Sequence, residues 1–123
     1  MPNFNFLLLH VEDAAASATF YSSLLGTPIL DQRPGFAMLP LRDGVTLGLW
    51  GKETVKPASS GQSGASEIAF AVPDKAAVEA THADWAERGL RILQSPTAMN
   101  FGTTFVASDP DGHRLRVFAP LAA

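Results

Sequence analysis

The chain has 123 residues, which is the usual size of one domain or of two small related modules. With 46% hydrophobic and 17% charged residues it can bury a core, which excludes an intrinsically disordered chain. Its net charge of −3, without any block of like charges, argues against nucleic acid or an anionic membrane as the main partner. The absence of cysteine excludes disulfides, a thiolate nucleophile and Cys-ligated metals.

The first thirteen residues, MPNFNFLLLHVED, carry no basic region ahead of their apolar run. That run is too short for a signal peptide or for a membrane span. We therefore expect a soluble protein of the cytoplasm, with no membrane partner.

The first half of the chain predicts one helix among four strands. The predicted elements are a strand at 4–11, a helix at 12–26, a strand start at 27–32, and strands at 34–41 and 45–51. Asp13 is a suitable N-cap for the helix, and Gly26 is a suitable C-cap. Arg42-Asp43-Gly44 is a hairpin-turn signal between the last two strands.

The second half repeats this order after a linker. Residues 52–66 are rich in Ser, Gly, Lys and Pro and offer little to bury, which is typical of a linker. The elements predicted after it are a strand at 67–72, a helix at 73–89, strands at 90–96 and 103–108, a turn at 109–112 and a last strand at 113–118.

Three landmarks recur in the same order in the two halves. Val11-Glu12-Asp13 is matched by Val72-Pro73-Asp74, the stretch Leu-Leu-Gly-Thr-Pro-Ile-Leu by Glu-Arg-Gly-Leu-Arg-Ile-Leu, and DGVTLGLW by DGHRLRVF. The sequence thus predicts an α+β fold of two tandem βαβββ modules within a single domain of residues 1–123. The first module covers 3–51, the linker 52–66 and the second module 67–119. Since neither module can bury its sheet alone, we expect the two to pack together.

The duplicated unit, with FYSSLLG at 20–26 and SDPDGHRLRV at 108–117, resembles the vicinal oxygen chelate superfamily. This is the fold of glyoxalases, bleomycin-resistance proteins and extradiol dioxygenases. Within it, LGLWGKE and FGTTFVASDPDGHRLRVFAPL look most like the phenazine-antibiotic resistance group. The resemblance implies curled mixed sheets around a cavity, usually in a homodimer.

The resemblance also implies four pseudo-symmetric metal-ligand positions, on the first and fourth strands of each half. In this sequence those positions hold Phe6, Gly48, Glu67 and Arg116. Only Glu67 can ligate a metal, because Arg is permanently cationic and the other two carry no donor. We therefore expect no metal and no cofactor, and a pair between Glu67 and Arg116 across the cavity. That pair is either a polar clamp on a ligand or an internal salt bridge that orders the fold.

Alternation along the strands extends these positions to two faces. The face expected to line the cavity also carries Leu8, His10, Thr46, Trp50, Ala69, Arg114 and Phe118. The opposite face, expected beneath the helices, is uniformly apolar: Leu7, Leu9, Val11, Leu47, Leu49, Ile68, Phe70, Leu115 and Val117. Gly48 is expected to leave room between the aromatic side chains.

Trp50 is the leading candidate for contact with a ligand, since an indole stacks well on a planar aromatic molecule; the alternative is a Trp that fills the core.

His10 is expected to form a hydrogen bond in the pocket, His82 to lie near the helix surface, and His113 to start the last strand. A mobile rim, or else plain core packing, is expected for Phe36, Met38, Met99, Phe101 and Phe105, with 99–102 as a closing loop. The candidate ligand contacts are Phe6, His10, Phe36, Trp50, Glu67, Phe101, Arg116 and Phe118, with no catalytic and no metal-ligating residue.

Two functions of different class are consistent with these residues. The first is metal-independent binding that sequesters a planar aromatic small molecule and so confers resistance to a phenazine- or bleomycin-type antibiotic. The second is a metal-dependent enzyme of the glyoxalase or dioxygenase kind, a lyase or thiol transferase, or one that uses Glu67 as a general base. A regulatory domain with a vestigial cavity is a third possibility.

Overall fold

A computed structural model describes residues 2–61 and 66–121, and the chain divides into two compact units, Met1–Gly61 and Gln62–Ala123. The described elements of the first unit are β1 (Phe6–Val11), α1 (Ala14–Leu25), β2 (Asp31–Arg33), β3 (Phe36–Arg42), β4 (Val45–Gly51) and a 3₁₀ turn (Lys52–Thr54). Those of the second unit are β5 (Glu67–Ala71), α2 (Lys75–Glu87), β6 (Arg91–Met99), β7 (Gly102–Ser108) and β8 (Arg114–Pro120).

Each unit contains a mixed four-stranded sheet with the same topology. The strand order is β1-β4-β3-β2 in the first unit and β5-β8-β7-β6 in the second. The pairs β1/β4 and β5/β8 are parallel, and the other pairs are antiparallel. This arrangement confirms the α+β fold of two βαβββ modules.

The two helices begin where the sequence predicts. The Asp13 carboxylate accepts a hydrogen bond from the backbone N–H of Ala16, and the Asp74 carboxylate accepts one from Ala77, so both are N-caps. The first helix ends at Gly26, whose φ of 67° is the left-handed conformation in which glycine carries no steric penalty.

One face of each sheet forms the core, as the alternation predicts. On the predicted inward face, these side chains are at most 9% exposed: Leu9, Val11, Leu47, Leu49, Ile68, Leu115 and Val117. Leu7 and Phe70 share that face but are only half-buried. The α1 helix packs on β3 and β4, and α2 packs on β6, β7 and β8.

Phe105 is a core residue rather than part of a mobile rim. Its side chain is completely buried, and its ring contacts Trp85 and His82 of α2 at centroid distances of 5.4 and 5.3 Å. The rim prediction for this residue is wrong, and the core alternative is the observed one. The reason is strand parity: Thr104 faces Arg116, so its neighbour Phe105 must face the helix.

The segment predicted as a closing loop is a tight hairpin turn. Met99 and Gly102 pair with each other at the ends of β6 and β7, which leaves only Asn100 and Phe101 in the turn. Gly102 has a φ of 143°, and a Cβ there would collide with the carbonyl oxygen of Ala119. The segment 99–102 is therefore a two-residue turn between β6 and β7, and its closure over the pocket mouth stays a prediction.

The start of the predicted linker is packed against the first unit. Val55 is only 6% exposed, the Thr54 hydroxyl donates to the Gly51 carbonyl, and Lys52 forms an ion pair with Glu12 at 3.1 Å. The linker prediction rested on the low content of large apolar residues in 52–66, and such an average over the segment does not reveal that Val55 is buried. Residues 62–65 of the predicted linker lie outside the described residues. Within 2–61 and 66–121, neither helix has the length and apolar character needed to cross a membrane.

Candidate functional site

Aromatic side chains surround a pocket on one face of the first sheet. This pocket, here called the aromatic pocket, has a volume of about 450 Å³ and is lined by Phe6, Leu8, Arg33, Phe36 and Trp50. Phe6 and Leu8 are 37% and 43% exposed, which is unusual for side chains of this size in a sheet. The sequence-predicted candidates Phe6, Phe36 and Trp50 are thus brought together.

Trp50 lies at the centre of three adjacent strands. It is directly opposite His10 on β1 and opposite Phe36 on β3. Both neighbouring rings stand nearly perpendicular to the indole, each with a centroid distance of 6.3 Å. Such edge-to-face packing stabilises the indole orientation by about 0.5–1.5 kcal/mol per pair. The indole is half-buried and remains part of the pocket wall.

The space above Gly48 is filled by neighbouring side chains. A Cβ placed on Gly48 would lie 2.6 Å from Cδ2 of Leu8 and 2.7 Å from Cε1 of Phe6. Gly48 does leave room above the sheet, as expected, but the side chains of Phe6 and Leu8 fill that room. Glycine at this position allows Phe6 and Leu8 to lie close to the sheet and form the pocket floor.

Arg33 belongs to this pocket although the sequence analysis passed over it. It lies opposite Phe36 in the β2–β3 hairpin, whose turn is Pro34-Gly35 with φ 80° at the glycine. Opposite residues in an antiparallel pair share a face, so the Arg33 side chain projects to the same side of the sheet as the Phe36 ring. The Pro-Gly pair was the signal that could have located it, because a two-residue turn fixes which residues face each other.

His10 forms the hydrogen bond expected of it, with an unexpected partner. Its Nδ1 lies 2.8 Å from the Ser59 hydroxyl. Ser59 belongs to the segment predicted as linker, so sequence reasoning did not find this contact. The bond ties the 52–61 segment to β1 beside Trp50 and orients the imidazole next to the indole.

The second unit carries a polar cluster centred on an ion pair. The Arg116 guanidinium donates from Nε to Oε2 of Glu67 at 2.9 Å and from Nη2 to Oε1 at 3.4 Å. Its Nη1 donates to the Thr104 hydroxyl, which itself donates to the Val117 carbonyl. The predicted Glu67–Arg116 pair is present, but it joins the neighbouring strands β5 and β8 of one sheet and does not cross a cavity. Thr104 is a further member that the sequence did not suggest. The side chains of Arg116 and Glu67 are 18% and 36% exposed.

Two aromatic candidates flank this cluster. The Phe101 and Phe118 rings are 6.2 Å apart, and the Arg116 guanidinium carbon lies 5.8 Å from the Phe101 centroid. That distance falls within the range of a cation–π contact. Phe101 is 44% exposed at the hairpin turn. The second unit therefore brings together Glu67, Phe101, Arg116 and Phe118.

His113, Met38 and Met99, which the sequence analysis also considered, lie outside the aromatic pocket lining and the polar cluster. His113 lies just before β8, which begins one residue later than predicted, at Arg114: the His113 backbone N–H donates to the Asp109 carboxylate at 2.8 Å, and its Nδ1 is within hydrogen-bond distance of the Ser66 hydroxyl. Met38 lies opposite Gly48 and is half-buried, whereas Met99 is 42% exposed.

The residues at the four superfamily metal positions do not fit a divalent metal. Phe6 and Gly48 offer no donor, Glu67 already binds a guanidinium, and Arg116 is a cation. In the part of the chain that the structure describes, no three His, Asp or Glu side chains are grouped so that they could hold a metal ion. No chemical step can therefore be assigned to a metal at these positions.

Comparisons with known proteins agree with the fold. A model of the Glyoxalase/Bleomycin resistance protein/Dioxygenase superfamily matches residues 3–117. Over 118 residues the chain is 26% identical to the phenazine antibiotic resistance protein EhpR of Enterobacter agglomerans, with 92% of this chain and 88% of that protein covered.

Two solved structures extend this comparison. The solution NMR structure of an Agrobacterium tumefaciens protein is 43% identical, with a TM-score of 0.88 over 99% of this chain and 100% of that one. An antibiotic binding protein from a Streptomyces strain has a TM-score of 0.74 at 21% identity, with 98% of each chain covered. At that identity, the second likeness reflects the shared fold.

Proposed function

We propose that this chain, which belongs to the Glyoxalase/Bleomycin resistance protein/Dioxygenase superfamily, binds a planar aromatic small molecule without transforming it. The single observation that carries the proposal is the convergence of Phe6, Phe36 and Trp50 on one pocket of about 450 Å³. Binding of this kind would sequester an antibiotic, such as a phenazine, away from its target. Residence in the cytoplasm and a homodimeric state are part of the same proposal.

The pocket has the size and chemistry that such a ligand requires. Sites for small molecules are typically about 300–1,000 Å³ and lined mainly by apolar and aromatic side chains. A planar ring system that covers Trp50 gains both burial of apolar area and the favourable geometry of offset or edge-to-face rings. Among the residues that the structure describes, Arg33 is the one charged side chain of the lining.

The donor chemistry favours binding over catalysis. An enzyme of this superfamily that uses a metal needs several oxygen or nitrogen donors directed at one point. The corresponding positions here carry an aromatic ring, a glycine, a paired carboxylate and a guanidinium. Sequestration requires none of these donors, because resistance then depends only on the affinity and on the concentration of the protein.

The relatives support the same class of function. The curated relative is named as a phenazine antibiotic resistance protein, and one structural neighbour as an antibiotic binding protein. Each name states the role of that relative and not of this chain. For this chain they make phenazine the first ligand to test.

The experiment is a fluorescence titration with phenazine that separates the two tryptophans. Trp85 is 7% exposed beneath the Phe70 and Phe105 rings, so the Trp85→Phe variant leaves Trp50 as the sole reporter. We expect saturable quenching in the wild type and in this variant, with a stoichiometry of one ligand per chain. Trp50→Ala should weaken the affinity by at least about tenfold, which is roughly 1.4 kcal/mol.

A calorimetric titration of Trp50→Ala gives the same affinity without an optical reporter. An unchanged affinity in that variant would place the ligand elsewhere and contradict the proposal. Recovery of the ligand after denaturation, followed by mass spectrometry, distinguishes binding from turnover: we expect an unmodified molecule. A chemically altered ligand would support the enzymatic alternative.

A further inference from the structure

We infer that the ligand of the aromatic pocket carries an acidic group and that Arg33 is the residue that selects it. This inference rests on the proposed function and deepens it, because it names the chemical class of the ligand. It begins from the charge distribution around the pocket, which is apolar on most sides and cationic on one.

The register of the β2–β3 hairpin fixes where that charge lies. Arg33 is opposite Phe36, and Phe36 is opposite Trp50 on the next strand. Residues that are opposite one another across adjacent strands project to the same side of the sheet. The guanidinium therefore lies on the same face as the Phe36 ring and the indole, in the row of side chains that crosses the sheet to its β2 edge. A ring stacked on Trp50 that carries a substituent toward β2 would present that substituent to Arg33.

Asp31 binds one nitrogen of the Arg33 guanidinium and leaves its other N–H groups accessible. The contact joins Nη2 of Arg33 to Oδ2 of Asp31 at 2.8 Å, while the Arg33 side chain remains 68% exposed. Within residues 2–61 and 66–121, no partner is found for its Nη1 and Nε. A guanidinium has five N–H donors, and its planar geometry suits a carboxylate.

The arrangement favours an acid over an amine. Both members of the Asp31–Arg33 pair lie on β2, yet only Arg33 contributes to the pocket lining. A cationic ligand would meet the guanidinium first and would be repelled. A carboxylate or an ionised phenol would accept a charge-assisted hydrogen bond from the guanidinium, with a strength that the 68% exposure of the Arg33 side chain keeps modest.

The test compares two probes with the same ring system and nearly the same shape, a phenazine carboxylic acid that is ionised at neutral pH and its neutral carboxamide. In the wild type, we expect the acid to bind about twofold to fivefold more tightly than the amide, as is typical of an exposed charge pair. This preference should shrink as ionic strength rises, because salt screens exposed charges. An apolar pocket without a cation would prefer the amide, since a carboxylate is costlier to desolvate.

Variants assign the preference to Arg33. Arg33→Gln should abolish or reverse the preference for the acid, and Arg33→Lys should retain part of it because the charge is kept. Arg42→Gln is the matched control, since it removes another exposed arginine, which lies at the end of β3 and lines a different pocket. Its acid-to-amide ratio should match the wild type.

The outcomes separate the inference from the proposed function. If both probes bind with Trp50-dependent quenching but with equal affinity, and Arg33→Gln changes neither, the inference is wrong and the proposed function stands. If the preference for the acid persists in Arg33→Gln, another group selects the ligand and the inference is again wrong. If neither probe quenches Trp50, the proposed function fails and the inference fails with it.

Discussion

Leu8 lies directly opposite Gly48 in the parallel pairing of β1 with β4, and its Cδ2 occupies the space that a side chain on Gly48 would need. The two residues therefore form one packing unit, in which the absence of a Cβ on one strand determines the position of the side chain on the other. The Phe6 ring occupies the same space, with Cε1 at 2.7 Å from the position of a Cβ on Gly48. The floor of the aromatic pocket depends on this relationship.

A methyl group on Gly48 is expected to disturb the pocket more than the sheet. In Gly48→Ala the new Cβ must displace the ends of Leu8 and Phe6, at a cost of about 1–3 kcal/mol in the free energy of unfolding. The affinity for phenazine should fall with it. Leu8→Ala removes one of the two obstructing groups, so we expect it to cost less in the Gly48→Ala background than in the wild type. Urea denaturation of the four proteins measures this, and strictly additive costs would contradict the packing unit.

The Glu67–Arg116 pair is expected to contribute only modestly to stability. Because the Glu67 side chain is 36% exposed, solvent screens the pair, and a double-mutant cycle with Glu67→Gln and Arg116→Met should give a coupling energy of about 0.5–1 kcal/mol. That coupling should decrease at high ionic strength. A coupling of several kcal/mol would indicate a far more desolvated pair than the structure shows.

Ligand titration of the same variants decides between the two roles considered for this pair. A polar clamp predicts that Arg116→Met lowers the affinity for phenazine, and an internal salt bridge predicts that it does not. Thr104→Val is the companion variant, because it removes the hydroxyl that Nη1 contacts while keeping the shape of the side chain. A loss of affinity in Arg116→Met alone would identify the guanidinium as the contact.

Protein purified without chelators is expected to hold only substoichiometric divalent metal. The physical reason is the donor set: the superfamily positions offer one carboxylate, and it is already paired with Arg116. Elemental analysis after dialysis checks this, and added Zn²⁺, Ni²⁺ or Mn²⁺ should leave the melting temperature unchanged. One tightly held metal per chain would overturn this reading of the donor set and favour the enzymatic alternative.

The segment that follows β4 is expected to stabilise the first unit. Val55 is 6% exposed, so Val55→Ala should lower the free energy of unfolding by about 1–2 kcal/mol through lost burial and a small cavity. Lys56→Ala is the neighbouring control, and because Lys56 is exposed its effect should stay within about 0.5 kcal/mol. Equal effects of the two substitutions, measured by thermal and urea unfolding, would contradict the packing of this segment.

The sequence by itself determined the properties that depend on local periodicity. The duplicated βαβββ order, the Asp13 cap and the two faces of each strand follow from alternation and from capping chemistry, which act over a few residues. The Glu67–Arg116 pair was also predicted, because a desolvated carboxylate is costly unless it meets a cation, but its position on the neighbouring strands β5 and β8 was not. In each case, the information lies within one element or one pair of elements.

Only the tertiary structure decided which side chains on a face touch one another. Arg33 joins Phe36 and Trp50, and Leu8 covers Gly48, because of strand registers that no single strand encodes. Ser59 reaches His10 from a segment with almost nothing to bury, and Phe105 lies under α2 because β7 turns its other face to Arg116. The physical reason is that alternation gives the side of the sheet on which a residue projects, whereas contacts across strands depend on register and on the space that neighbouring side chains leave.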